Sequence, residues 1–458
     1  MMDRREFLKI AGAGVAAGAL SGCSPKDRKA GAQVPQEGMS CRVNPKTGEK
    51  VSLLGYGCMR WPFVSSQDGG PSFEIIDQQS VNELVDYALA HGVNYFDTAP
   101  FYCRALSEKA TGIALSRHPR ESYYIATKMS NMGVAGKGLS PEESYSASLD
   151  IYRNSFASLQ TDYIDYYLLH AVGTGQGIET FKERFEYNGV LDFLLAEREA
   201  GRIRNLGFSF HGDPGVYDYL LSLHEKVHWD FVQIQLNYVD YRHGGGGKHN
   251  ADYLYSELEK RGIPAVIMEP LLGGRLADLG GHLGDRLLER RPQQSIASWA
   301  FRFAGSLPGV LTVLSGMSYM EHLQDNVRTY SPLEPCSEEE SALLESVAEI
   351  MTKYPTVPCT ACQYCMPCPY GVDIPGVFAH YNKCVNEGFI SASSRDENYR
   401  KARRAFLVGY DRSVPQLRQA SHCIGCGKCV SHCPQGIEIP SQLHKIDHYA
   451  EKLKRGDW

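Results

Sequence analysis

The chain has 458 residues, 43% of them hydrophobic and 22% charged, with a formal charge of −6 at neutral pH. That length exceeds one ordinary core and predicts two or three domains, and the acid excess excludes the basic footprint of a nucleic-acid binder. Fourteen cysteines are many for this length, and eight fall in two short runs near the C-terminus, which favours metal over disulfide scaffolding.

Arg4-Arg5-Glu6-Phe7-Leu8-Lys9 is a twin-arginine pattern, followed by small and apolar residues from Ile10 to Leu20. It reads as an export signal. Leu20-Ser21-Gly22-Cys23 resembles a bacterial lipobox, whose cysteine would carry lipid. Residues 1–23 are therefore expected to be a signal with lipobox. Residues 24–45, polar with Pro and Gly, are expected to be a flexible tether. No stretch reaches the roughly 18 apolar residues of a membrane span. The expected location is the periplasmic side or cell envelope of a bacterium, anchored through Cys23. A cytoplasmic protein with an unprocessed N-terminus is the alternative.

From about residue 50 to 330, short β-rich runs alternate with longer helical patterns. The predicted strands are Val51–Tyr56, Val93–Asp97, Tyr123–Thr127, Tyr163–Leu169, Asn205–Ser209, Phe231–Leu236, Ala265–Met268 and Val310–Leu314. Amphipathic segments between them include Ser80–Ala90, Pro141–Leu159, Asn250–Lys260 and Gln293–Phe303. Pro141 followed by Glu142 and Glu143 suits a helix start. Eight strands alternating with helices predict an α/β fold, a (β/α)8 TIM barrel over residues 46–335. A doubly wound sheet would need a glycine-rich phosphate loop after its first strand, and no GxGxxG follows Val51–Tyr56. The four glycines Gly244 to Gly247 read as a loop. Ser337–Lys353 reads as one amphipathic helix opening the last region.

Residues 336–458 hold the cysteine runs Cys359-x2-Cys362-x2-Cys365-x2-Cys368-Pro369 and Cys423-x2-Cys426-x2-Cys429-x3-Cys433-Pro434. Such spacing lets one loop offer three thiolates to a cubane, and the fourth cysteine can reach the other cluster. Two [4Fe-4S] clusters are the expected cofactors, in a mainly α-helical ferredoxin-like domain. Zinc is the competing ligand, but its ribbons usually pair two CxxC units and rarely use CxxCxxC. Cys41, Cys58, Cys103, Cys336 and Cys384 are more often fillers than ligands.

Four polar residues fall at or just beyond the C-terminal ends of successive predicted strands, where barrels carry chemistry. They are Asp97, Tyr102, Lys128 and His170. Reducing a carbonyl loads negative charge on its oxygen, and a proton donor must wait there. A phenol near pKa 10 donates reluctantly; a buried ammonium beside it would lower that value. Lys128 is expected to do this for Tyr102, with Asp97 holding Lys128 and His170 orienting the carbonyl.

With these residues the chain resembles the aldo-keto reductase family over about residues 46 to 330. The resemblance rests on Leu54-Gly55-Tyr56-Gly57-Cys58-Met59-Arg60, on the Asp97/Tyr102/Lys128/His170 set, on Gly207-Phe208-Ser209, on Gln233-Ile234-Gln235 and on Ser315 to Asn326. Together with the tail it is similar to the subgroup carrying a C-terminal ferredoxin domain. The resemblance implies NAD(P)(H) across the barrel mouth; in an exported enzyme a tightly held nicotinamide could travel with the protein, or the clusters could feed the barrel from a membrane donor. The nicotinamide would be bordered by Gly57, Cys58 and Met59, with Ser209 and Gln233 at the carboxamide and Met268, Ser315 and Asn326 among its contacts. Phe210 follows Ser209 where many members have asparagine, and Met268 stands where many have a stacking tyrosine. From Ser315 to Asn326 no Lys or Arg occupies the usual partners of a 2′-phosphate.

The implied activity is an oxidoreductase interconverting a carbonyl and an alcohol, coupled to electron transfer through the clusters. Its partners would be a small-molecule substrate and a membrane electron-transfer protein, with no nucleic acid. The alternative is an exported electron-transfer lipoprotein whose barrel is a docking module.

Overall fold

The computed structural model describes residues 38–65, 71–134, 138–174, 177–244, 250–353 and 356–456. The export signal, Cys23, the tether up to residue 37 and Gly245 to Gly247 lie outside them. Among the described residues no helix is long and apolar enough to cross a membrane.

Eight parallel strands close into a barrel: β1 (Leu54–Gly57), β2 (Tyr95–Asp97), β3 (Tyr124–Met129), β4 (Ile164–Val172), β5 (Ile203–Phe210), β6 (Phe231–Gln235), β7 (Ala265–Met268) and β8 (Val310–Ser315). Each pairs with its neighbours in chain order, and Val313 opposite Leu54 joins β8 to β1. Helices follow the strands because each crossover between parallel strands must pass over the outside. Pro141–Leu159 begins as its residues dictate: the Ser140 hydroxyl accepts from the Glu143 N–H at 3.2 Å, and the Glu143 carboxylate accepts from the Ser140 N–H at 2.9 Å.

Strand alternation decides which side chains enter the barrel. Tyr95, Ala126, Tyr166, Leu168, Phe231 and Val266 form its interior core. Moving two residues on along each strand gives Asp97, Lys128, His170, Gln233 and Met268. The inward face therefore carries its last, polar layer at the C-terminal rim.

Residues 38–45, expected in a tether, are ordered instead. Cys41–Val43 pairs antiparallel with Lys50–Ser52. Val51 enters the interior core, and Asn44 donates to the Tyr166 hydroxyl at 2.9 Å, closing the barrel floor. Helix Glu338–Lys353, expected with the cysteine region, packs on the barrel side: Leu344, Val347 and Ala348 meet Leu276, Leu287 and Trp299. A buried ion pair, Arg302 to Glu340 at 2.6 Å, holds it there.

The remaining region builds its own core from helices Ile374–Asn386, Tyr399–Ser413 and Ile439–Arg455, through Phe378, Tyr381, Phe406, Tyr410, Leu443 and Ile446. Both cysteine runs pack against this core. The first run then lies across the barrel rim. Arg60 donates to the Thr360 carbonyl at 2.9 Å, Arg275 to the Thr356 hydroxyl at 2.9 Å, and Gln435 to Gln235 at 3.1 Å. Gly273, at φ +69, allows this fit, because a Cβ there would stand 2.4 Å from the Thr360 Cα.

Candidate active site at the barrel mouth

The rim and the first cysteine run enclose a cavity of about 460 Å³. Asp97, Tyr102, Lys128 and His170 all line it. Lys128, fully buried, donates to Asp97 at 2.6 Å and to the Thr98 carbonyl at 2.8 Å. Burial disfavours both charges, pushing the Asp97 carboxyl up and the Lys128 ammonium down, and each partner opposes the other's shift. The Lys128 nitrogen lies 4.7 Å from the centre of the Tyr102 ring.

Tyr102 is fixed by an unusual turn. Cys103, Arg104 and Ala105 all have positive φ, at 49°, 56° and 66°. L residues pay about 1–2 kcal/mol each for that region, so surrounding contacts must hold the turn. The Cys103 thiol donates to the Met59 carbonyl at 3.3 Å, and the Ser107 hydroxyl to the Cys58 carbonyl at 2.7 Å.

The Tyr102 phenol departs from expectation. Burial, then the neighbouring Tyr364, raises its pKa well above 10, where an adjacent ammonium was expected to lower it. Lys128 is closely ion-paired with Asp97, and that carboxylate itself disfavours a phenolate nearby. The tyrosine therefore rests as a protonated acid.

His170 is neutral, because burial and then the charge of Lys128 hold its pKa well below 6.5. Its Nδ1 pairs with the Ser130 hydroxyl at 2.5 Å, which leaves Nε2 for the cavity. Ser130 follows Lys128 by two residues, so strand alternation marks it, although the tetrad pattern does not include it. Arg184 fixes the same strand end by donating to the Ala171 carbonyl at 3.2 Å.

Of the expected nicotinamide contacts, Gly57, Met59, Ser209, Gln233, Met268, Ser315 and Asn326 line the cavity, and Cys58 does not. Cys58 shares the outward parity of Tyr56, is fully buried in the shell core, and turns its thiol to the Tyr56 carbonyl at 3.7 Å. Ser209 accepts the Ala171 N–H at 2.9 Å, and Asn326 donates to Ser315 at 3.0 Å. Gln233 donates weakly to the Met268 sulfur at 3.7 Å, while its buried Oε1 has no partner among the described residues. A buried, unpartnered acceptor of this kind suits a ligand amide. The cavity wall also carries Glu321 and Asp325.

The cysteines sort into two groups across the runs. Cys359, Cys362, Cys365 and Cys433 ring one small cavity beside Phe378 and Ile439. Cys429 instead neighbours Cys423, Cys426 and Cys368. The fourth cysteine of each run thus stands with the other run's first three. Among the described residues no three such groups converge on a single ion. Burial raises the Cys359, Cys362 and Cys365 thiols, Cys362 to about 12, so a bound metal must drive off their protons. Cys426 is exposed, and the second group lies nearer solvent.

The sequence model of the Aldo/keto reductase family matches residues 54–349. The chain belongs to this family. It is an oxidoreductase, and a 4Fe-4S dicluster domain matches residues 358–438. A twin-arginine translocation signal sequence matches residues 1–21, marking the chain for export. L-galactose dehydrogenase from Arabidopsis thaliana is 26% identical over 66% of this chain and 92% of its own length. Aldo-keto reductase AKR11C1 from Bacillus halodurans in its holo form superposes with a TM-score of 0.52 at 22% identity, over 68% of this chain and 96% of that one. An aldo-keto reductase from Klebsiella pneumoniae in complex with NADPH gives 0.50 at 21% identity, over 68% of this chain and 95% of that one.

Proposed function

We propose that this oxidoreductase interconverts a carbonyl and an alcohol at the barrel mouth, with Tyr102 as general acid and base. One observation carries the reading: a protonated phenol, a buried ammonium–carboxylate pair and a neutral imidazole converge on one cavity. His170 Nε2 would orient the substrate oxygen. Tyr102 would give it a proton, and the Lys128 charge would stabilise the phenol oxygen as that proton leaves.

Gln233 Oε1 and the Ser209 hydroxyl fit the carboxamide of a nicotinamide, which when bound supplies the hydride. The cationic groups on the wall are engaged, Lys128 with Asp97 and Arg60 with the Thr360 carbonyl. Glu321 and Asp325 would repel a 2′-phosphate, which supports NAD(H) over NADP(H). The two cysteine groups fit two [4Fe-4S] clusters, which when bound pass single electrons. The sugar dehydrogenase relative supports a hydroxylated aldehyde or lactol as substrate class. A lipid on Cys23 would tether the exported enzyme, and Cys23→Ala should move it from the membrane to the soluble fraction.

The test is anaerobic reduction of 4-nitrobenzaldehyde and, in the reverse direction, oxidation of L-galactose. Tyr102→Phe should lower kcat by about 10²- to 10⁴-fold with the visible cluster spectrum unchanged, and NADH should outperform NADPH. Unimpaired turnover by Tyr102→Phe would refute the assignment. It would favour the second reading, a barrel that only docks an electron-transfer module. That reading has one observation on its side: Tyr364 of the first cysteine run lines the same cavity as Tyr102.

A further inference from the structure

The two cysteine groups meet solvent unequally. The first lies against the barrel rim, where Arg60 and Gly273 fix its loop. In the second, Cys426 is exposed. Among residues 356–456 the three most exposed large apolar side chains are Leu417, Ile424 and Tyr370, at 79%, 62% and 46%. Ile424 precedes Cys426 by two residues, and Tyr370 follows Cys368 by two. Hydrogen bonds gather these segments. The Asp373 N–H donates to the Arg418 carbonyl at 2.9 Å, and the Gly371 N–H to the Cys368 carbonyl at 3.0 Å. The Cys423 N–H donates to the Ala420 carbonyl at 2.9 Å. A ring nitrogen of His444 lies 3.2 Å from the Cys423 carbonyl, which brings in helix Ile439–Arg455.

The charge here differs from that of the whole chain. From Arg412 to Ile437 there is no Asp or Glu, although the chain carries −6. Arg418, Lys428 and Lys445 are exposed, and none of them is ion-paired among the described residues. Asp373 is occupied as a helix cap, accepting the Gly376 N–H at 3.1 Å. An apolar patch rimmed by cations marks a contact surface.

We propose that this face is where electrons enter or leave the protein, and that its partner is a small electron-carrier protein with an acidic face. The proposal rests on the reading of the second cysteine group as a cluster site. Leu417, Ile424 and Tyr370 form the apolar centre of the contact, while Arg418, Lys428 and Lys445 steer the carrier onto it. The net negative charge of the chain repels the same carrier elsewhere. In the reducing direction one electron passes from carrier to cluster. The carrier is oxidised by one electron, the cluster is reduced by one, and no bond or proton moves. A carrier protein fits better than lipid, because it brings a redox centre to the exposed Cys426, whereas a headgroup layer has no electron to give.

The experiment uses the anaerobically purified holoprotein with an acidic plant-type ferredoxin as probe and basic cytochrome c as the control of opposite charge. Binding is read from nuclear magnetic resonance shifts of isotope-labelled ferredoxin, and transfer from stopped-flow absorbance of the reduced ferredoxin. Both should weaken as salt rises. Arg418→Glu combined with Lys445→Glu should slow association with ferredoxin at least about tenfold and speed that with cytochrome c. Leu417→Ser combined with Ile424→Ser should weaken ferredoxin binding about tenfold, with iron content unchanged. Lys428 is left in place because it lies between two cysteines of the run. Ferredoxin shifts that are absent, insensitive to salt or unaltered in both variants would overturn the proposal. So would sedimentation of Cys23→Ala protein with phosphatidylglycerol vesicles that is lost in Leu417→Ser/Ile424→Ser, since the patch would then belong to lipid. Protein without iron would instead remove the cluster reading, and the resonance shifts would still test the surface.

Discussion

The barrel rim and the cysteine loops solve the problem of a buried site in opposite ways. At the rim the charges balance each other: Lys128 has Asp97 and the Thr98 carbonyl, and His170 has Ser130. The charged and ionisable groups of that site are held by the chain's own hydrogen bonds. The cysteine groups are not. Burial keeps Cys359, Cys362 and Cys365 protonated, and their thiols ring a small cavity. Packing makes the first site rigid before any ligand arrives, whereas the second needs metal to release its protons. Folding and cofactor loading should therefore be separable in the barrel and coupled in the tail.

The largest way to break this contrast is to remove half of the rim's charge pair. Lys128→Met leaves Asp97 buried without its partner and should cost about 3–5 kcal/mol in denaturant unfolding of the barrel. An unchanged barrel transition would mean that the pair is not enclosed as described.

A smaller effect sharpens the same point by pH. His170 has a folded pKa below the unfolded value near 6.5. Below that pH the unfolded chain binds a proton that the folded chain refuses. Stability therefore falls as pH drops, by up to about 1.4 kcal/mol per pH unit until the folded imidazole titrates. His170→Gln should remove one proton's share of that slope. Equal slopes in the two proteins would show that the folded imidazole is protonated.

The sequence carried the fold well because its signals are periodic. All eight predicted strands overlap the barrel strands, and Pro141–Leu159 and Ala265–Met268 match to the residue. The tetrad was legible because each member sits at or just past a strand end. What escaped was whatever depends on a side chain's direction or on distant segments meeting. Cys58 follows an outward residue on a strand whose parity could not be assigned without the barrel. Residues 41–43 look like polar tether but gain a partner at 50–52, seven or more residues away in the chain. Tyr364 reads as a spacer between ligands, and only the docking of the loop on the rim gives it a neighbour. The expected lowering of the Tyr102 pKa rests on Lys128 alone, whereas burial, then Tyr364 and the Asp97 charge, raise it.

The claim on which most depends is that Cys433 crosses from the second run to complete a cluster beside Tyr102. It is tested most directly by iron and sulfide analysis of anaerobically prepared Cys433→Ser beside the unmodified chain. The unmodified protein should hold about eight irons and the variant about four, with the second group's resonance retained. An unmodified protein that binds only zinc after anaerobic reconstitution, or a Cys433→Ser variant that keeps all its iron, would contradict it.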